Sequence, residues 1–145
     1  MTFPSIHILI AEDEGIVGAD IHDCLRRAGY RTTLVDNGKA AVEKSALLLP
    51  NLVLMDILLK GAIDGIEAAE AIRRRFGIPV VFLSAHTDEN TFKRAQAVGP
   101  AGYITKPFEE AELHAIIRTA LEKAALPRPD SDGLSGLLPR TPPAI

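Results

Sequence analysis

The 145-residue sequence contains a single cysteine, Cys24, and its longest basic run is three residues, Arg73-Arg74-Arg75, too short to form the Lys and Arg cluster that duplex binding requires. One thiol cannot build a disulfide framework or a multi-cysteine metal site within the chain, a pattern typical of reducing compartments. Asp and Glu total 19 against 16 Lys and Arg, so the chain is slightly acidic. We therefore expect no direct binding of nucleic acid, which requires a basic surface.

Long apolar segments are also missing. No run approaches the roughly 20 apolar residues that a membrane-spanning helix needs. The first residues, Met-Thr-Phe-Pro-Ser, lack the basic region and apolar segment of a secretion signal. We expect a cytoplasmic, unprocessed protein without membrane insertion. A chain of this length fits one domain with a single core.

Five short apolar runs alternate with five segments of helical periodicity. Because each helix must return the chain to the same edge of a sheet, this alternation predicts parallel strands joined by right-handed crossovers. The predicted fold is an α/β, three-layer, doubly wound (βα)5 sandwich. Its strands are predicted at residues 6–11, 32–35, 51–56, 79–84 and 102–105.

Capping residues and apolar faces place the helices. Asp64, with Glu67 three residues later, forms a capping-box pattern, and Thr87 is predicted to cap the fourth helix. Cys24 lies on the apolar face of the first helix, which predicts a buried packing residue. The inner face of the second helix is predicted to contain Val42, Ala46 and Leu49.

The last part of the chain is rich in Pro, Gly and Ser and cannot build a core of its own. We therefore assign residues 1–126 to the folded domain. Residues 127–145 are predicted to be a flexible tail or a truncated linker.

Polar side chains follow four of the predicted strands. Glu12 and Asp13 come after the first strand, Asp56 ends the third, Ser84 ends the fourth and Lys106 follows the fifth. The carboxyl ends of parallel strands share one edge of the sheet, where α/β proteins bind ligands. We expect these side chains to meet.

Three carboxylates at one edge repel one another unless a cation keeps them ionised. Lys106 supplies one positive charge, too little for three acids, so a divalent metal is implied. Mg²⁺ fits best, because it takes oxygen ligands and is often held by one or two carboxylates and a phosphoryl oxygen. A carboxylate nucleophile, a metal, a hydroxyl and an ammonium group together favour phosphoryl transfer.

The same residues, with Lys106 followed by Pro107, resemble the receiver domain of two-component response regulators over residues 6–126. The resemblance implies a flavodoxin-like sheet in the order 2-1-3-4-5. It also implies that Asp56 accepts a phosphoryl group from a phosphohistidine of a sensor histidine kinase or a histidine phosphotransfer protein. Asp13 would ligate Mg²⁺ directly, Glu12 largely through water, and Leu58 through its backbone carbonyl.

The remaining roles are implied by the resemblance too. Ser84 would bind a phosphoryl oxygen, and Lys106 would pair with the carboxylates and then with the phosphate. Its bond to Pro107 would be cis. Tyr103 occupies the aromatic switch position and would swing inward when Ser84 moves. The domain would catalyse only its own phosphorylation and dephosphorylation, and would otherwise not be an enzyme.

Leu58 and His86 occupy positions that shape the lifetime of the phosphoryl group in this family. The apolar Leu58 offers no group that positions an attacking water. For His86, ordering a water and simple solvation are both open. Leu58 also argues against a phosphoaspartyl hydrolase, which needs a second acid there, and no Gly-rich fingerprint follows the first strand as a dinucleotide site requires.

The expected output is a conformational switch in a phosphorelay, read by a protein partner or a second copy through the face of helix four, strand five and helix five. The chain could be a single-domain regulator or the front end of a larger one. The alternative is a pseudo-receiver, an interaction module that is not phosphorylated.

Overall fold

The computed structural model describes residues 5–85 and 87–125. Strands and helices alternate along this part of the chain. Their bounds, in chain order, are β1 (His7–Ala11), α1 (Gly15–Arg27), β2 (Arg31–Val35), α2 (Gly38–Leu48), β3 (Leu52–Asp56), α3 (Gly65–Phe76), β4 (Val80–Ser84), α4 (Glu89–Val98), β5 (Gly102–Thr105) and α5 (Glu110–Ala125).

The strands form one sheet in the order β2-β1-β3-β4-β5, and every neighbouring pair is parallel. The predicted strand order and fold class are therefore confirmed. The register pairs Asp56 with Leu83 and Ser84 with Thr105, so β3, β4 and β5 reach the same edge of the sheet. This edge carries the polar side chains singled out above.

Alternate residues of the central strands face two separate apolar layers. Leu9, Val53 and Phe82 belong to a core that includes buried residues of α2, α3 and α4. Ile10 and Leu54 belong to a second core with buried residues of α1 and α5. The central strands are buried on both faces, which explains why they appear in the sequence as continuous apolar runs.

Two of the helix caps can be compared with the sequence predictions. The capping box is present at α3, where Asp64 accepts from the backbone of Glu67 and the Glu67 side chain accepts in return. The predicted cap of α4 was wrong by one residue. Asp88, not Thr87, accepts from the backbone N–H of Thr91, because the chain is still extended at Asp88.

The predicted inner face of α2 was partly wrong. Ala41 and Ser45 are the buried residues of its middle turns, whereas Ala46 is exposed. Leu49 is also exposed, because it is the C-terminal cap and its left-handed backbone (φ 47°) turns the side chain away from the helix face.

No helix in residues 5–85 and 87–125 is long and apolar enough to cross a membrane. The predicted tail, residues 127–145, lies outside the described residues, as does His86.

Candidate functional site: an acidic cluster at the ends of the strands

Three carboxylates meet where β1 and β3 end. Glu12 follows β1, Asp13 comes next, and Asp56 is the last residue of β3. One oxygen from each of the three lies within 4.8 Å of the others. Glu12 and Asp56 are buried and Asp13 is half-buried. Oxygen-only ligands at this spacing suit a hard cation such as Mg²⁺.

The ammonium group of Lys106 lies among these acids. Its Nζ donates to Glu12 Oε1 at 2.7 Å, to Asp56 Oδ2 at 3.2 Å and to Glu14 Oε1 at 3.3 Å. Only 12% of the Lys106 side chain is exposed. Glu14 was not among the predicted site residues. A lysine facing several acids was the one signal for it, because Glu14 is exposed and begins the turn before α1.

The charges of the cluster perturb one another. Burial raises the pKa of Glu12 to about 7, with the hydrogen bond from Lys106 opposing this shift and Asp56 adding to it. Burial by itself would lower the pKa of Lys106, but the hydrogen bond to Glu12 and the charge of Asp56 outweigh it and raise this pKa. Lys106 is therefore charged at neutral pH, and Glu12 is poised to gain or lose a proton.

The loop after β3 wraps around two of the acids. The backbone N–H of Leu58 donates to Asp56 Oδ1 at 3.0 Å, and that of Lys60 donates to Asp13 Oδ2 at 3.2 Å. The Leu58 side chain is 55% exposed and brings no polar group to Asp56. Asp56 thus has one oxygen held by a backbone amide and the other by Lys106.

Ser84 lies at the end of β4, next to the strand that carries Asp56. Its hydroxyl shares a hydrogen bond with the hydroxyl of Thr87, so Thr87 contacts the site residue instead of capping α4. Sequence reasoning missed this pair, since a hydroxyl residue three positions after the end of a strand predicts a helix cap equally well.

Tyr103 lies in β5 and packs against aromatic residues of β4 and α4. Its ring centroid is 6.1 Å from that of Phe82 and 5.2 Å from that of Phe92. Its hydroxyl is buried and has no hydrogen-bond partner among the described residues. The resemblance implies an inward swing from an outer position, whereas here the hydroxyl is already buried.

The peptide bond between Lys106 and Pro107 is cis. The resemblance implied this isomer, which proline makes accessible.

Known proteins resemble this chain over the segment that carries the site. The family model described as "Response regulator receiver domain" matches residues 8–118. The transcriptional regulatory protein PdtaR of Mycobacterium tuberculosis is 35% identical over 80% of the chain and 57% of its own length. The transcriptional regulatory protein BaeR of Escherichia coli O6:H1 is 34% identical over 80% of the chain and 48% of its own length. The chain thus spans about half the length of the curated relatives it matches.

Solved structures agree. The signal receiver domain of a modulated diguanylate cyclase from Desulfovibrio desulfuricans G20 has a TM-score of 0.79 and 35% identity, covering 83% of this chain and 97% of that one. The receiver domain of the sensor histidine kinase PA1611 from Pseudomonas aeruginosa PAO1, solved with magnesium coordinated in its active-site cleft, has a TM-score of 0.75 and 31% identity, covering 82% and 99%. Since a family model, curated relatives and solved folds agree on the segment that brings Glu12, Asp56 and Lys106 together, the chain belongs to the receiver domains of two-component response regulators.

Proposed function

We propose that Asp56 accepts a phosphoryl group from a phosphohistidine, in a Mg²⁺-dependent reaction that switches the conformation of the domain. The donor would be a sensor histidine kinase or a histidine phosphotransfer protein. The observation that carries the proposal is the position of Asp56, a buried carboxylate at the carboxyl edge of the sheet, held between an amide and an ammonium group.

The acidic cluster fits Mg²⁺. Its donors are all oxygens and include two carboxylates beside Asp56. Asp13, Glu12 through water, Asp56 and the backbone carbonyl of Leu58 would hold the ion. When bound, Mg²⁺ supplies the positive charge that lets an anionic phosphoryl group approach three acids.

The transfer itself needs little beyond positioning. An Asp56 carboxylate oxygen attacks the phosphorus of the donor in line with the bond to be broken. The new bond joins that oxygen to phosphorus, and the bond between phosphorus and the histidine nitrogen breaks, with the electron pair returning to the imidazole. Lys106 carries a fixed positive charge beside the reacting oxygens, where charge stabilisation is most effective.

Two neighbouring groups would answer to the new charge. The hydroxyl of Ser84 would leave Thr87 and donate to a phosphoryl oxygen, while Lys106 would move from Glu12 toward the phosphate. Tyr103, packed between Phe82 and α4, would repack in response. The face formed by α4, β5 and α5 would then present a different surface to a protein partner or a second copy.

The reaction also sets limits on the role of the domain. It would catalyse only its own phosphorylation and dephosphorylation, with water as the second acceptor. Because Leu58 provides no polar side chain at Asp56, the residue two positions after the acceptor would not position an attacking water. Residues 1–126 would form the receiver and 127–145 a tail or linker, in a single-domain regulator or at the front of a larger one.

Intact mass after incubation with acetyl phosphate tests the proposal. The wild-type chain should gain one phosphoryl mass with Mg²⁺ and none with a chelator. Asp56→Asn should gain none, whereas Asp23→Asn, which changes an exposed acid of α1, should behave as wild type. Folded protein that binds Mg²⁺ but is never labelled would refute the proposal and leave the pseudo-receiver.

A further inference from the structure

A second group of metal-ligating side chains lies where α1 packs near α5. Cys24 is in the last turns of α1, and Glu110 and His114 are in the first turns of α5. The Sγ atom of Cys24 is 3.5 Å from Glu110 Oε1 and 3.5 Å from His114 Nε2. Ligand atoms of all three lie within 4.8 Å of one another. None of these residues belongs to the acidic cluster.

The spacing matches the edges of a zinc tetrahedron. Zinc lies about 2.3 Å from a thiolate sulfur and about 2.0–2.2 Å from imidazole nitrogen or carboxylate oxygen. At a tetrahedral angle these bonds place sulfur about 3.5–3.7 Å from each other ligand. Both distances from the Cys24 sulfur are 3.5 Å. The two sulfur distances therefore already fit a zinc ion, and the remaining distance, between the ligand atoms of Glu110 and His114, is within 4.8 Å.

The donor types select among metals. Mg²⁺ and Ca²⁺ prefer sites made of oxygen, whereas a thiolate, an imidazole and a carboxylate together suit borderline-soft zinc. A thiolate and a carboxylate also balance the two charges of the ion, with the imidazole neutral. We propose that Cys24, Glu110 and His114 form a zinc site that links α1 to α5, with water as the fourth ligand.

Neighbouring groups orient the ligands. Glu110 and His114 are four residues apart in α5, so their side chains share one face of the helix. Arg27 Nη2 contacts Glu110 Oε2 at 3.2 Å, which leaves Oε1 facing the sulfur. The positive charge of Arg27 and the negative charge of Asp20 act on Cys24 in opposite directions, with the effect of Arg27 the larger, so the negative charge that a cation would meet comes from Glu110 itself. Partners of this kind fix the geometry of metal ligands in proteins.

The competing interpretation is a hydrogen-bonded trio with no metal. Burial and the hydrogen bond to Glu110 raise the pKa of the Cys24 thiol to about 11, so in that state the sulfur keeps its proton. A buried, protonated thiol is a poor nucleophile, which disfavours a redox role. The choice is therefore between zinc ligand and packing residue, and metal binding decides it.

Cobalt binding to the full chain is the direct test, because a thiolate bound to Co²⁺ gives a charge-transfer band in the near ultraviolet. Cys24 is the single cysteine, so the band reports this residue alone. Metal-free protein would be titrated with Co²⁺ in saturating Mg²⁺, which occupies the acidic cluster. We expect the band to rise to one equivalent and to disappear when Zn²⁺ is added.

Variants assign the ligands. His114→Gln and Glu110→Gln should each weaken cobalt binding at least about 10-fold. Loss of a group that only supports a metal ligand already lowers affinity about 10–100-fold. The matched control is His22→Gln, whose ring lies on α1 but bonds the hydroxyl of Thr32, and it should bind as wild type. Cys24→Ser should abolish the band.

The proposal has clear ways to fail. Folded wild-type protein without the band, or His114→Gln with unchanged affinity, would overturn it. So would cobalt binding that is lost in Asp13→Asn and kept in Cys24→Ser. If Cys24→Ser does not fold, the half-buried His114 still decides, and in saturating Mg²⁺ the addition of Zn²⁺ should raise the melting temperature of wild type more than that of His114→Gln. None of these results depends on phosphorylation.

Discussion

Replacing Lys106 by methionine tests whether one ammonium group holds the acidic cluster together. In the folded chain its Nζ is 2.7 Å from Glu12 Oε1 and 3.2 Å from Asp56 Oδ2. Methionine keeps most of the apolar length of the side chain and removes the charge. We expect Lys106→Met to fold but to be less stable in metal-free buffer.

The size of the loss follows from burial. Removing one partner of a buried ion pair costs about 3–5 kcal/mol, because the other charge is left uncompensated. Lys106 is 12% exposed, so water partly replaces it, and Glu12, whose pKa is about 7, can take up a proton. These two effects place the expected loss near the lower limit, about 3 kcal/mol at pH 8. Without the hydrogen bond from Lys106, which lowers the pKa of Glu12, this pKa should lie above 7 in the variant, so the loss should shrink as the pH falls toward 7 and stay constant below it.

Urea unfolding followed by circular dichroism measures the loss, since it is a large part of the roughly 5–15 kcal/mol that stabilises a domain. The control is Lys93→Met, an exposed lysine of α4, which should stay within about 0.5 kcal/mol of wild type. Mg²⁺ at ten times its dissociation constant should stabilise wild type and Lys93→Met alike, by about 1.4 kcal/mol.

A double-mutant cycle identifies the cause. If Lys106 acts by compensating Glu12, Lys106→Met should cost at least about 1 kcal/mol less in the Glu12→Gln background. An equal cost in both backgrounds would refute the electrostatic argument. A total loss below about 1 kcal/mol would show that water already compensates the acids.

Three further predictions concern the backbone, the metal and the phosphoryl group. Gly65→Ala places a Cβ 1.9 Å from the carbonyl oxygen of Asp56 and should lower the free energy of unfolding by about 3 kcal/mol. Gly15→Ala, whose Cβ would have no atom within 4 Å, should be neutral or stabilising, and equal effects of the two variants in urea unfolding would contradict this. Mg²⁺ affinity should fall as the pH drops through 7, because burial raises the pKa of Glu12 to about 7 and the metal must displace the proton of Glu12. Titration calorimetry in which Mg²⁺ binding releases no proton would contradict this. Leu58→Glu, at an exposed position, should shorten the lifetime of phosphorylated protein at least about tenfold by positioning water, and an unchanged decay of the phosphoryl mass contradicts this.

The acidic cluster could be predicted from the sequence because the parallel topology of the sheet determines where its residues lie. Once the strands are known to be parallel, the residue after each apolar run must lie at one edge of the sheet. No knowledge of side-chain packing was needed to predict that one edge of the sheet carries Glu12, Asp56, Ser84 and Lys106. The strand order depended on the resemblance, since alternation alone leaves several orders open.

Predictions failed where a local pattern admits two geometries. Thr87 and Asp88 are both good helix caps, and the choice between them depends on where the backbone leaves the extended conformation. The hydroxyl pair of Ser84 and Thr87 follows from the same choice. Leu49 fits the apolar period of α2, but its left-handed backbone removes it from the buried face. In each case the prediction depended on the residue at which the helix begins or ends.

The cluster of Cys24, Glu110 and His114 between α1 and α5 could be predicted only in part. Cys24 was predicted to be buried, and the spacing of Glu110 and His114 places them on one helical face. The strand order 2-1-3-4-5 also puts α1 and α5 on the same side of the sheet, where both pack on one core. What the sequence lacks is the rotation of each helix about its axis, because that rotation is set by how side chains of the two helices interdigitate. Chemistry at strand ends follows from topology, whereas chemistry between helices requires packing, and for this reason a second site emerged only from the structure.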